Sequence, residues 1–320
     1  MNIFWAVILL VGGLLILWKA ADLLVSGAVK LAKGLGVTPL VIGLTVVAMG
    51  TSAPEVAASI AAAVRGQGDI AIGNVYGSNI ANLALVGGLA ALIRPLIIKK
   101  QTLRYQIPVM LLVALLLWPI LHNLDLSRTE GILLLAVFAV LILLTVFLAR
   151  KEEQQSTEAQ EHTQTSTTDD MKKSVLFVII GLAGLALGAD ITVRGAVFIG
   201  DRIGLSKAII GLTIIAVGTS LPELATCVVA AFKGEHDISI GNLVGSNIFN
   251  TLLVVGAAGT VRPFSIAGRL AGIDYWIMIG VSGGFTALAI LGRRVIGRLA
   301  ATLLLCGYAG FIVYLLVYSR

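Results

Sequence analysis

The sequence predicts an all-α polytopic membrane protein, with ten transmembrane helices arranged as two inverted five-helix repeats. Three observations lead there. Hydrophobic residues make up 58% of the 320 and charged residues 12%, with a mean hydropathy of +0.99; a soluble domain carries about 25% charged residues. The charges fall between apolar runs of about 20 residues, long enough to cross a ~30 Å hydrocarbon core. The hexapeptide GTSAPE at 50–55 returns as GTSLPE at 218–223. The net charge of +6 is therefore loop charge of a membrane protein and not the footprint of a nucleic-acid partner.

Spans are expected at 3–24, 38–64, 70–93, 105–122, 130–149, 174–197, 207–232, 238–261, 272–291 and 296–318. The N-terminal run MNIFWAVILLVGGLLILWK lacks a basic leader and is too long for a signal-peptide core, so it reads as the first span. Residues 151–173, KEEQQSTEAQEHTQTSTTDDMKK, are almost devoid of apolar side chains and read as a flexible linker between 1–150 and 174–320. The loops on the linker side carry 14 Lys and Arg against 8 on the other. The positive-inside rule then places the linker in the cytoplasm and both termini outside. Cys227 and Cys306 fall in separate apolar spans and read as buried free thiols.

The repeat extends well beyond the hexapeptide. At a constant offset of 168, residues 36–55 match 204–223 at 11 of 20 positions, and 69–95 match 237–263 at 16 of 27. Apolar matches carry little weight in a membrane protein. The polar ones do: Thr45/Thr213, Thr51/Thr219, Ser52/Ser220, Glu55/Glu223, Asp69/Asp237, Asn74/Asn242, Ser78/Ser246, Asn79/Asn247 and Asn82/Asn250, with Asp22/Asp190 at the same offset. Five spans per half is an odd number, so the halves enter the membrane from opposite sides, an architecture of many secondary transporters.

Glu55 and Glu223 fall near the centres of their spans, where a charge costs about 2.5–3.5 kcal/mol on insertion scales. Each follows a proline, which lacks an N–H and breaks the helical ladder, so carbonyls around 48–51 are expected to lose their partners. Asn74, Ser78 and Asn82 stand at i, i+4 and i+8 and form one polar stripe, repeated by Asn242, Ser246 and Asn250. Carboxylates, amides, hydroxyls and carbonyls together make an all-oxygen set suited to hard cations such as Na⁺ and Ca²⁺, and unsuited to zinc or copper. Two carboxylates balance one divalent ion, or two or more monovalent ions or protons. Other features have structural readings. Asn74 and Asn242 read as interhelical glue, and the GxxxG pairs 73/77 and 241/245 as close-packing sites. Asp22 with Lys19 and Asp190 with Arg194 read as ion pairs near span ends, and Asp69 and Asp237 as helix caps. Cys227, matched to Ser59, reads as a small packing residue.

GTSAPE…GNVYGSNIAN and GTSLPE…GNLVGSNIFN resemble the two α-repeats of the sodium/calcium exchanger family, within the calcium/cation antiporter superfamily. The resemblance covers nearly the whole chain. It implies alternating-access exchange of Ca²⁺ for Na⁺ at mid-membrane sites bridged by the two glutamates, with spans 1 and 6 sliding over the remaining eight. The ligands it implies are Ala48 (carbonyl), Thr51, Ser52, Glu55, Ser78 and Asn82, with Ala216 (carbonyl), Thr219, Ser220, Glu223, Ser246 and Asn250 in the second half. Some relatives carry Asp where this chain has Asn250, which puts potassium co-transport in doubt. The regulatory calcium-binding domains of large animal relatives have no counterpart in the 23-residue linker.

The expected function is thus a Na⁺/Ca²⁺ antiporter in a prokaryotic plasma (inner) membrane. It uses no cofactor or obligate protein partner, and its only partners are inorganic cations and the lipid bilayer. A Ca²⁺/H⁺ antiporter is the nearest alternative, then a cation channel. An intramembrane enzyme is disfavoured because no histidine accompanies Glu55 and Thr51 and the site occurs twice.

Overall fold

The computed structural model describes residues 2–157, 168–204 and 216–318. Helix α1 spans Ile3–Leu35. The second expected span is broken into α2 (Pro39–Ile42), a π-helical turn at Gly43–Val47, α3 (Ala48–Thr51) and α4 (Ala53–Val64). The third is α5 (Gly68–Ile80), a π-helical segment at Ala81–Val86, and α6 (Gly87–Ile93). Strand β1 (Leu96–Ile97), α7 (Ile107–Leu121, entered through a π turn at Thr102–Gln106), β2 (Asp125–Leu126) and α8 (Arg128–Thr157) complete the first half. The second half follows the same order with α9 (Thr168–Arg202), α10 (Ala216–Thr219), α11 (Leu221–Lys233) and α12 (His236–Phe249). A π-helical segment at Asn250–Val254, α13 (Val255–Val261), β3 (Phe264–Ser265), α14 (Gly268–Ala271), α15 (Ile273–Leu291), β4 (Val295–Ile296) and α16 (Arg298–Tyr318) close the chain.

Among the described residues, eight helical runs are long and apolar enough to cross a membrane, and Pro39–Val64 makes a ninth with a 43° bend. The start of the expected seventh span, with Thr213, lies outside the described residues; α10 and α11 are its remainder. Of the expected linker, 158–167 lies outside them as well, and α8 and α9 extend into its two ends. Helix α1 also runs past the expected residue 24, because Ala28, Leu31 and Ala32 stay buried. It starts on Asn2, whose side chain accepts from the Trp5 N–H at 3.0 Å, and stops at Gly36, whose φ of 65° suits glycine.

The two first helices of the halves, α1 and α9, pack antiparallel over their length. Gly13 meets Gly188 and Thr192, Gly184 meets Ala20, Gly181 meets Leu24, and Gly27 meets Ser174 and Phe177. A Cβ on Gly181 would stand 2.8 Å from the Leu24 Cβ, so these backbones touch only because the side chain is absent. Elsewhere the halves exchange elements. Strand β1 pairs with β4 and β2 with β3, both antiparallel. Gly131 of α8 packs on Gly256 of α13, and Gly88 of α6 packs on Ala301 and Leu305 of α16. Gly88 and Gly256 are repeat partners, so the fifth helix of each half covers the third span of the other. The spans Gly68–Ile93 and His236–Val261 are the most enclosed, which puts the polar stripes of α5 and α12 at the centre.

Several charged residues depart from their expected roles. Asp22 pairs with Lys233 of α11 at 2.6 Å, not with Lys19, which is exposed on α1. Asp190 does pair with Arg194, at 2.8 Å. Asp69 and Asp237 are not caps; Gln67 and Glu235 hold those positions. Each aspartate lies in the first turn of its helix, where the macrodipole favours it, and reaches the other half. Asp69 accepts from the Ala267 N–H at 2.7 Å, and Asp237 pairs with Lys99 at 2.6 Å. Cys227 is buried as expected, but Cys306 is exposed on the outer face of α16.

Candidate cation site

The break in the second span sits at Ser52, with φ −83° and ψ 4°, and Ser220 repeats it at φ −87° and ψ 6°. Pro54 and Pro222 occupy the second positions of α4 and α11, where a missing N–H costs no helical hydrogen bond. Glu55 and Glu223 fall in the first turns of those helices, so each carboxylate lies at the positive end of a half-helix. The expectation of bare carbonyls at 48–51 needs correcting at Ala48. Its oxygen accepts from the Ser52 N–H at 3.0 Å and the Thr51 hydroxyl at 3.3 Å, since the proline removes a donor only two steps later, where Pro54 has none for residue 50. Ala216 opens α10, and the Ser220 N–H is bonded to the Val217 carbonyl at 3.1 Å.

The structure brings the expected side chains from both halves together. Glu55 and Glu223 are each 0% exposed, as are Asn82, Asn250 and Ser246; Thr51, Ser52 and Ser220 are 1% and Ser78 2% exposed. Ser52 donates across the halves to Glu223 Oε1 at 3.0 Å, and Ser246 donates to the same oxygen at 3.4 Å. Ser78 donates to Glu55 Oε1 at 3.4 Å, and Thr219 lies within hydrogen-bonding reach of Glu55. Thr51 donates to Asn242 Oδ1 at 3.0 Å and also lies against Glu223. The two carboxylates are close enough to repel one another.

The second oxygen of each glutamate, both polar atoms of the Asn82 and Asn250 amides, and Ser220 Oγ are buried and have no hydrogen-bond partner among the described residues. Native interiors seldom leave such atoms unpaired without a functional reason. Among the described residues, the ion pairs Lys99–Asp237, Arg194–Asp190, Lys233–Asp22 and Arg269–Asp274 involve neither glutamate. A buried carboxylate without a basic partner calls for a cation or a proton. The donor set is all oxygen apart from the amide nitrogens, which suits Na⁺ or Ca²⁺.

Asn74 and Asn242 act as the interhelical glue expected of them. Asn74 donates to Ser59 Oγ at 2.9 Å and to the Glu55 carbonyl at 3.3 Å, and Asn242 donates to Cys227 Sγ at 3.3 Å. Two features escaped the sequence reading. Asn79 donates to Thr251 across the halves at 3.1 Å, a tie that the repeat does not signal, since Thr251 is matched to Leu83 and Asn247 donates to the Leu243 carbonyl of its own helix. The π-helical turns begin one residue before Asn82 and at Asn250 itself, so an extra residue per turn swings each amide; no residue pattern announces them.

The sodium/calcium exchanger protein family model matches residues 5–147 and 173–317. The chain is 40% identical to the inner membrane protein YrbG of Escherichia coli over 313 residues, covering 97% of this chain and 95% of the relative. It is 39% identical to the putative antiporter CaxA of Alkalimonas amylolytica over 310 residues (95% and 96%). It is 32% identical to the sodium/calcium exchanger MaX1 of Methanosarcina acetivorans over 347 aligned positions (96% and 97%). A solved structure of the sodium-calcium exchanger NCX_Mj superposes with a TM-score of 0.84 at 30% identity, covering 98% of this chain and all of that one. With the fold, the paired motifs and the enclosed oxygen site in agreement, the chain belongs to the sodium/calcium exchanger family and is a membrane cation antiporter, not an enzyme.

Proposed function

We propose that the protein exchanges Ca²⁺ for Na⁺ by alternating access, at a site whose two charges are Glu55 and Glu223. The observation that carries this reading is the set of buried, unpartnered oxygens around those carboxylates. The remaining ligands are then Thr51, Ser52, Ser78 and Asn82 with Thr219, Ser220, Ser246 and Asn250, and the carbonyls of Ala48 and Ala216 supply neutral oxygens. The names of the relatives MaX1 and NCX_Mj support sodium and calcium as the exchanged ions.

The ten-span, inverted-repeat arrangement of 1–150 and 174–320 belongs to the same proposal. Antiparallel packing of α1 on α9 and the reciprocal strand pairs support it, since a two-fold axis in the membrane plane produces both. That two-fold is broken where alternating access needs it broken. Gly50 packs on Leu182 and its repeat partner Gly218 on Val193, so the nearest neighbours of both lie on α9. Lys233 holds Asp22 and Ser26, whereas the matching Asp190 turns to Arg194. We read this as the state closed on the linker side. The Lys and Arg asymmetry supports a cytoplasmic linker and outside termini in a prokaryotic inner membrane.

The test is radiolabelled Ca²⁺ uptake into proteoliposomes loaded with Na⁺ or with choline, at clamped pH. Uptake that requires internal Na⁺ is expected. Uptake driven only by an imposed proton gradient would replace this reading with Ca²⁺/H⁺ exchange, and single-channel currents would replace it with a channel.

A further inference from the structure

We propose that Asn242, held by Cys227, is a positioning residue that takes the hydroxyl proton of Thr51 and so turns the Thr51 oxygen toward the ions. A hydroxyl binds a cation through its oxygen lone pairs, and its one proton must go to an acceptor elsewhere. Among the described residues Thr51 has three acceptors in reach: the Asn242 amide oxygen at 3.0 Å, the Ala48 carbonyl at 3.3 Å and the Glu223 carboxylate. The last two are themselves proposed ligands, and a proton pointed at either lies where a cation would. Asn242 is the acceptor outside the ligand set, and it comes from the other half of the chain.

An asparagine amide has an oxygen at one end and an NH₂ at the other, and only the oxygen can accept from Thr51. Cys227 fixes which end faces it. The Cys227 thiol donates to the Ser239 carbonyl at 3.6 Å, which leaves its sulfur as an acceptor, and the Asn242 amide donates to that sulfur at 3.3 Å. The nitrogen is thereby committed to α11, and the oxygen to Thr51 on α3. Thr51, Cys227, Ser239 and Asn242 are each at most 1% exposed, so the chain of bonds is closed to bulk water. The first half builds the same anchor with a hydroxyl. Asn74 donates to Ser59 Oγ at 2.9 Å, and Ser59 donates to the Ala71 carbonyl at 3.2 Å. Ser59 and Ala71 are the repeat partners of Cys227 and Ser239. A group that donates onward and accepts the amide thus sits one turn past each glutamate, whether oxygen or sulfur supplies it.

The proposal rests on the reading of Thr51 as a ligand, and the test separates the two. Apparent Ca²⁺ affinity and maximal rate are read from Ca²⁺/Ca²⁺ exchange in proteoliposomes, which needs neither Na⁺ nor a proton gradient. Thr51→Val removes the hydroxyl, keeps the shape, and should weaken the affinity. Asn242→Ala should weaken it roughly fivefold, as for one neutral hydrogen bond, with the maximal rate changed less. Cys227→Ala frees the amide to turn and should act in the same direction; it stands in if the Asn242 variant fails to fold. Cys227→Ser supplies the hydroxyl that the first half uses and should hold the affinity within about twofold of the native protein. Added to Thr51→Val, Asn242→Ala should cost no further affinity, because the proton it accepts is gone. An asparagine that only joins helices would lower thermal stability and leave affinity alone. Unchanged affinity in Asn242→Ala and Cys227→Ala beside a weakened Thr51→Val, or additive losses in the double variant, would overturn the relay and leave the cation site standing. Unchanged affinity in Thr51→Val would remove Thr51 from the ligands, and the relay with it.

Discussion

Glu55 and Glu223 are buried without a basic partner among the described residues; Ser78 donates to one oxygen of Glu55, and Ser52 and Ser246 to one oxygen of Glu223, while the other oxygen of each is left to the site interior. Removing either charge takes away one of the two that balance a divalent ion. A unit charge at about 4 Å is worth about 4 kcal/mol at an effective dielectric of about 20. Glu55→Gln or Glu223→Gln should therefore lower Ca²⁺ exchange at least about a hundredfold, with thermal stability equal or higher because an uncompensated buried charge is gone. Uptake assays beside melting curves check both halves of this, and retained exchange in either variant would refute the assignment. Ser52 is the side chain that positions Glu223 across the halves at 3.0 Å. A hydrogen bond to a charged group contributes about 1.5–3 kcal/mol, so Ser52→Ala should weaken apparent Ca²⁺ affinity by roughly ten- to a hundredfold. Asn250 is neutral in both halves' pattern, and Asn250→Asp would add a third carboxylate. That site needs one more positive charge, so its Na⁺, K⁺ or pH dependence should change; identical dependence would show that the amide does not face the ions.

Among the elements, the pair α1 and α9 stands apart from the rest. It packs through glycines that allow close backbone approach and makes different contacts with the two broken spans. The Asp22–Lys233 contact is the clearest asymmetry, since its repeat counterpart would join Asp190 to Arg65, and Asp190 is instead paired with Arg194. In the opposite-facing state we expect Asp22 to release Lys233 and Asp190 to take Arg65. Cysteine pairs at 22/233 and at 65/190 should each cross-link and each arrest exchange, in different ionic conditions. A 65/190 pair that never cross-links would count against the switch. The ion pair is half exposed, so Lys233→Gln should shift the balance of states by no more than about fivefold, as befits about 1 kcal/mol.

The whole molecule is two interwoven halves. Each half covers the other's third span with its own fifth helix, and each closes the other's loops with a strand. Neither half can bury its central stripe alone. Expressed separately, 1–157 and 168–320 should each be degraded or aggregate, while co-expression should restore a complex active in Ca²⁺ uptake. A monodisperse single half in size-exclusion chromatography would show that the repeats are independent domains after all.

The sequence by itself determined the membrane class, the two matched motifs and which polar residue types those motifs carry. Span length and the polar matches at a fixed offset are one-dimensional signals, set by bilayer thickness and by the cost of polar atoms in hydrocarbon. It located the ends of spans less well, because α1 and α9 shield each other beyond the hydrocarbon length. It misassigned Asp22, Asp69 and Asp237 because their partners, Lys233, Ala267 and Lys99, are remote in sequence. Only the tertiary structure decided that the serine of one half donates to the glutamate of the other, that Asn82 and Asn250 lie in π turns, and that Asp22 and Asp190 take different partners. These are contacts between segments about 170 residues apart, and which of two nearly identical halves supplies a given atom depends on how the halves cross, not on what either one contains.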